Sequence, residues 1–106
     1  MMKQVSVVAR VRAVKGMEEK VRRECLALVA PSRSEQGCIN YDLHQSADDP
    51  ALLLFYENWT SREDLERHLE TAHSLGFDER TEGMLDGPIE ITLWEMISRE
   101  AHDHGR

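Results

Sequence analysis

Glu57, His68 and His73 are the residues whose types and spacing suit proton transfer, with Trp59 and Phe55 close enough to wall a site around them. Glu57 and Trp59 stand two apart in the segment 51–59, Ala-Leu-Leu-Leu-Phe-Tyr-Glu-Asn-Trp. In a strand they point to one side together with Leu53 and Phe55, while Tyr56 and Asn58 point to the other. A carboxylate on so apolar a face is costly to bury unless it is paired. It orients a histidine or a substrate hydroxyl in a pocket, or it is held by an arginine such as Arg10 or Arg12, or it lies exposed near the strand end. His68 falls on the inner stripe of a helix, where a plain core would carry Leu or Ala. A neutral imidazole beside an apolar pocket accepts a proton from a phenol or enol. The same ring can also satisfy a buried carbonyl or carboxylate with no catalytic role. His73 either lines the pocket mouth or is a surface residue; His44, His102 and His104 read as surface or tail.

Stronger signatures are missing. The sequence has no phosphate loop, no dinucleotide fingerprint and no nucleophile elbow. His68 and His73 together suggest a metal, but a spacing of five does not put both on one helix face and no third ligand is evident. Neither a metal nor an organic cofactor is therefore expected. Cys25 and Cys38 are too few for a disulfide framework and lack metal-ligand spacing, which fits a reducing cytoplasm. Trp59 also suits plain core packing, and the methionines read as gap fillers.

The elements that must position these residues follow from periodicity. Val5, Val7, Ala9, Val11 and Ala13 alternate as a strand, ended by Lys15-Gly16. Met17, Val21, Cys25, Leu28 and Val29 then recur at helical spacing, with Glu18 and Glu19 at the positive end of the helix dipole. Pro31 is expected to bend or weaken the last turn and Gly37 to stop it. Cys38 to Gln45 alternates again, Asp48-Asp49-Pro50 turns, and residues 51–59 read as a strand apolar enough to be covered on both sides. Thr60-Ser61-Arg62-Glu63 reads as a capping box with Thr60 as cap. Leu65, His68, Leu69 and Ala72 form the inner stripe that follows. A looser helix runs from His73 to Leu85, interrupted at Gly76 and ended at Gly83. Gly87-Pro88 opens a last strand, with Ile89, Ile91 and Leu93 on one side and Thr92, Trp94 and Met96 on the other.

The order β-α-β-β-α-β is the ferredoxin-like α+β arrangement, in one domain over residues 1–97 with a polar, frayed tail over 98–106. At 106 residues there is room for one domain, and 41% apolar against 31% charged residues is a globular balance. A net charge of −7 argues against a nucleic-acid or anionic-membrane surface. No apolar run approaches the ~20 residues of a membrane span, and no charged-then-apolar leader precedes the first strand. One sheet face takes the helices. The other still carries large apolar side chains, Trp94 among them, so a symmetric sheet-on-sheet homodimer is expected.

Several motifs together carry a family resemblance. Gly16 before an acidic helix, Glu35-Gln36-Gly37-Cys38 with Tyr41, Tyr56-Glu57-Asn58-Trp59-Thr60-Ser61, His68, and Thr71-Ala72-His73 with Phe77 resemble the antibiotic biosynthesis monooxygenase (ABM) family over about residues 3–97. The resemblance implies a dimeric α+β barrel with a pocket between sheet and helices in each subunit. Many members are cofactor-independent monooxygenases of quinols or polycyclic phenols. By position, Trp59 and His68 would line the pocket, with Glu57, His73, Phe77 and Phe55 beside them. His68 and Glu57 are the catalytic candidates. A heme-degrading branch shares Trp59, but it carries Asn where this chain has Val11 and a ligating His where it has Phe77 or Asp78. A non-catalytic small-molecule binding or stress protein and a small-carbonyl isomerase are the further alternatives.

Overall fold

In the computed structural model, which describes residues 3–98, eight elements follow in order. They are β1 (Val5–Arg12), α1 (Glu18–Ala27), α2 (Val29–Arg33), β2 (Cys38–Gln45), β3 (Leu52–Trp59), α3 (Arg62–Leu69), α4 (Ala72–Arg80) and β4 (Glu90–Trp94). The tail expected from residue 98 onward lies outside the described residues, Ser98 excepted. The strands form one antiparallel sheet ordered β2-β3-β1-β4. This is the ferredoxin-like arrangement, with each of its two helices divided into two. No helix of the described residues is long and apolar enough to cross a membrane.

Register sets the faces. Val7 lies opposite Glu57 and Leu93, and Ala9 opposite Phe55 and Ile91. The alternating residues of β1 thus share the helix side of the sheet with Leu53, Phe55, Glu57 and Trp59, as strand periodicity requires. Tyr41 of β2 joins them, and Val21, Cys25, Leu28, Leu65 and Phe77 close the core from above. Each side chain of this size contributes about 1.5–3 kcal/mol when fully buried.

The helix divisions have local causes. Pro31 lacks the N–H that would bond the carbonyl four residues back, and its ring crowds that carbonyl. The residue four back is Ala27, where α1 ends. Pro31 itself is accommodated in the first turn of α2, where no such bond is needed. In α3 the cap is Ser61, not Thr60: the Ser61 hydroxyl accepts from the Asp64 N–H. The Thr60 N–H donates to the Gly37 carbonyl, which ties Thr60 to the turn before β2 and moves the cap one residue on. The boundary between the two helical stretches, expected at Ala72–His73, falls at Glu70–Thr71, and α4 runs unbroken through Gly76 to end at Arg80, short of Gly83. Thr71 caps α4 through its hydroxyl, which also donates to the His68 carbonyl at 2.7 Å. The inner stripe also ends early, because Leu69 is 41% exposed and Ala72 is exposed.

The second sheet face lies open in the single chain, so β3 is not covered on both sides. Val8, Leu54, Tyr56, Thr92 and Trp94 occupy it by register, with Trp94 59% exposed.

Candidate functional site

A cavity of about 160 Å³ lies between the sheet and the helices. Ala9, Val11 and Phe55 form its floor, Tyr41 and Phe77 its aromatic walls, and Glu57, His68 and the exposed Asp78 bring titratable groups to it. Half-exposed Leu69 and Ile91 stand at its mouth. The sheet register delivers Glu57, and the apolar stripe of α3 delivers His68.

Glu57 is 4% exposed, and Trp59 Nε1 donates to its Oε1 at 2.9 Å. Burial drives its pKa up to about 7; the indole bond opposes this and the nearby Glu35 charge adds to it. Among the described residues no arginine holds Glu57: Arg10 and Arg12 point to the opposite face of β1, and Arg12 pairs with Asp49.

The residue that orients His68 is Glu35, not Glu57. His68 Nδ1 lies 2.7 Å from Glu35 Oε2. An ionised carboxylate oxygen only accepts, so Nδ1 carries the proton and Nε2 keeps its lone pair. Burial lowers the His68 pKa against the upward pull of Glu35, which keeps the ring neutral. Trp59 packs against the ring at 4.7 Å between centroids and Tyr41 at 5.4 Å, fixing its plane. Burial also raises the Tyr41 pKa, so its hydroxyl stays protonated.

His73 Nε2 reaches the same Glu35 oxygen at 2.6 Å. Of the sequence-derived candidates, Glu57, His68, Phe55 and Phe77 line the cavity. Trp59, fully buried, stands behind them, and His73 holds Glu35 from the far side. The spacing argument against a His68–His73 pair fails because the break at Thr71 puts the two rings on separate helices. Their centroids are 6.0 Å apart, and Glu35 supplies the third group. Glu35 was missed as a site residue because it precedes β2, far from α3 in sequence. Its signal was the following Gly37, whose φ of +91° makes the tight turn that brings the segment under α3.

The family model for antibiotic biosynthesis monooxygenases matches residues 4–80. The chain belongs to this family. The ABM match spans β1 through α4 and so includes every cavity group except those of the β4 approach. A Mycobacterium tuberculosis protein named "Putative monooxygenase Rv0793" is 34% identical over 89 residues, covering 84% of this chain and 87% of its own. The solved structure of Rv0793 superposes with a TM-score of 0.86 over 93% of this chain and all of that one, at 28% identity by that alignment. The crystal structure of PA3566 from Pseudomonas aeruginosa has a TM-score of 0.87 and 38% identity, covering 92% of this chain and 98% of that chain.

Proposed function

We propose that this ABM-family chain is a cofactor-independent monooxygenase of a small phenol or quinol, with His68 Nε2 as the base. The observation that carries the reading is the His68 ring itself. Its Nδ1 is tied to Glu35, and among the described residues no side chain bonds Nε2, in a ring that lines the cavity. A cavity near 150 Å³ accommodates one benzene ring, so a single-ring substrate fits here with its substituents toward Ile91.

The substrate hydroxyl gives its proton to Nε2, and the resulting anion is electron-rich enough to reduce O₂ directly. A ring carbon bonds to oxygen to give a hydroperoxide, which loses water and leaves a carbonyl. One oxygen atom stays in the product and the other leaves as water, so a hydroquinone becomes a hydroxyquinone. The substrate supplies all four electrons. The protonated Tyr41 hydroxyl is a donor for the developing oxyanion, and the apolar walls exclude water. Glu57, close to half-protonated at neutral pH, relays the proton out of the cavity.

The test is O₂ uptake with a single-ring hydroquinone. His68→Ala and the bulkier His68→Gln are expected to lose about 10²–10⁴-fold in rate. Uptake equal to wild type in both would remove His68 from the reaction, and product formed without O₂ would favour an isomerase. Ligand-induced thermal stabilisation with no O₂ consumed would favour the binding protein. A heme is the poorer fit, since Val11 and Phe77 bring apolar groups to a cavity sized for one ring. A second copy of the chain covers the open sheet face in the working protein, and the cytoplasm is its proposed compartment.

A further inference from the structure

We infer that Glu35, His68 and His73 form a binding site for a divalent transition-metal ion such as Zn²⁺, and that filling it silences His68 as a base. The second half rests on the function proposed above; the binding site does not. Two imidazoles and a carboxylate are a donor set suited to zinc and its neighbours. Their ligand atoms lie within 4.8 Å of one another. Both nitrogens now converge on one carboxylate oxygen, at 2.7 and 2.6 Å. A tetrahedral zinc with bonds of about 2.0–2.1 Å needs its ligand atoms about 3.3 Å apart. The two contacts to Glu35 lengthen by roughly half an ångström, and the two nitrogens, up to 4.8 Å apart, close by up to about 1.5 Å, a shift within reach of side-chain rotation for rings on two short helices and a carboxylate on a turn. Three protein ligands leave one position open. The His73 side chain is 25% exposed and that of Glu35 14%, so an ion enters from the surface without crossing the cavity.

The consequence for His68 is tautomeric. In the metal-free chain Glu35 holds the proton on Nδ1 and the lone pair of Nε2 faces the cavity. A metal on Nδ1 requires that nitrogen to be bare. The neutral ring then carries its proton on Nε2, so one proton leaves Nδ1 and one arrives on Nε2 with no net release. The cavity face changes from acceptor to donor, and a substrate hydroxyl has no base.

The test is calorimetric titration of ZnCl₂ into the metal-free full-length chain, wild type against His73→Ala, with ¹⁵N-histidine spectra of both. Wild type is expected to bind an ion that His73→Ala binds at least about tenfold more weakly, and His68 to move from the Nδ1–H to the Nε2–H form as zinc is added. Equal affinity in the two proteins, as when His102 and His104 hold the ion, would overturn the site, as would no binding at all. O₂ uptake that persists in the zinc-saturated chain would overturn the silencing. No uptake in the metal-free chain, with the tautomer shift present, would instead remove the proposed function and leave the site standing.

Discussion

Glu35 Oε2 receives hydrogen bonds from both His68 and His73, residues 33 and 38 positions away in the chain. The three meet because β2 pairs with β3, which places the turn before β2 beside the start of α3. The turn and the helix are tied further by the Thr60 N–H bond to the Gly37 carbonyl. One carboxylate therefore decides which nitrogen of His68 carries the proton.

Glu35→Ala is expected to lower kcat by about tenfold or more, as when a catalytic histidine loses the group that fixes its tautomer. Glu35 does not line the cavity, so KM should change little. A drop in affinity for the hydroquinone with kcat preserved would instead make Glu35 a binding residue.

The alternation of β1 and β3 made the sheet, its faces and the inward side of Glu57 legible from sequence, because a period of two leaves one choice once a face is buried. The inward aim of His68 followed from helical spacing in the same way. Glu35 was not legible as its partner, since that contact depends on a turn bringing together segments over thirty residues apart. The roles of Trp59 and His73 depended on depth, which periodicity does not encode: both sit on the correct side but behind the cavity lining. The boundary between α3 and α4 was legible to within about two residues, and the further break expected at Gly76 did not form, since a single glycine costs a helix only about 1 kcal/mol.

Glu57→Gln is expected to alter the pH dependence of stability. The folded-state pKa is raised from 4.5 to about 7. Between those values the folded chain keeps a proton that the unfolded chain has released, so stability falls as pH rises through that window. The loss amounts to roughly 3 kcal/mol and is complete above pH 7. A glutamine still accepts from Trp59 Nε1 but has no proton to give up. Urea midpoints should therefore favour the variant over wild type at pH 8 far more than at pH 4.5. Parallel curves across that range would show that Glu57 titrates normally.

Gly37→Ala should be costly in two ways. The φ of +91° disfavours any side chain, and an added Cβ would overlap the Asp64 carboxylate. Asp64 cannot easily yield, since Thr60, Ser61 and Arg67 all donate to it. The expected loss is about 1–3 kcal/mol, with a further loss of O₂ uptake from the displaced Glu35. Gly83→Ala is the control, with a comparable φ of +81° but open space around the new methyl. It should cost only about 1 kcal/mol and spare activity. Equal effects from the two substitutions would mean that packing on Asp64 contributes nothing.

Val8→Glu tests the sheet-on-sheet dimer. Val8 sits half-buried in the middle of the open face, between Tyr56 on β3 and Thr92 on β4. A twofold interface sets each residue against a symmetry-related patch, so one substitution places two like charges in the same dry layer. Light scattering at micromolar concentration should show wild type as a dimer and the variant as a monomer with unchanged far-UV circular dichroism. The charge faces away from the cavity, so any lost O₂ uptake in a folded monomer would show that the partner supports the site from below the sheet. A wild-type chain that is already monomeric under those conditions would leave Tyr56 and Trp94 facing water and remove the dimer from the account.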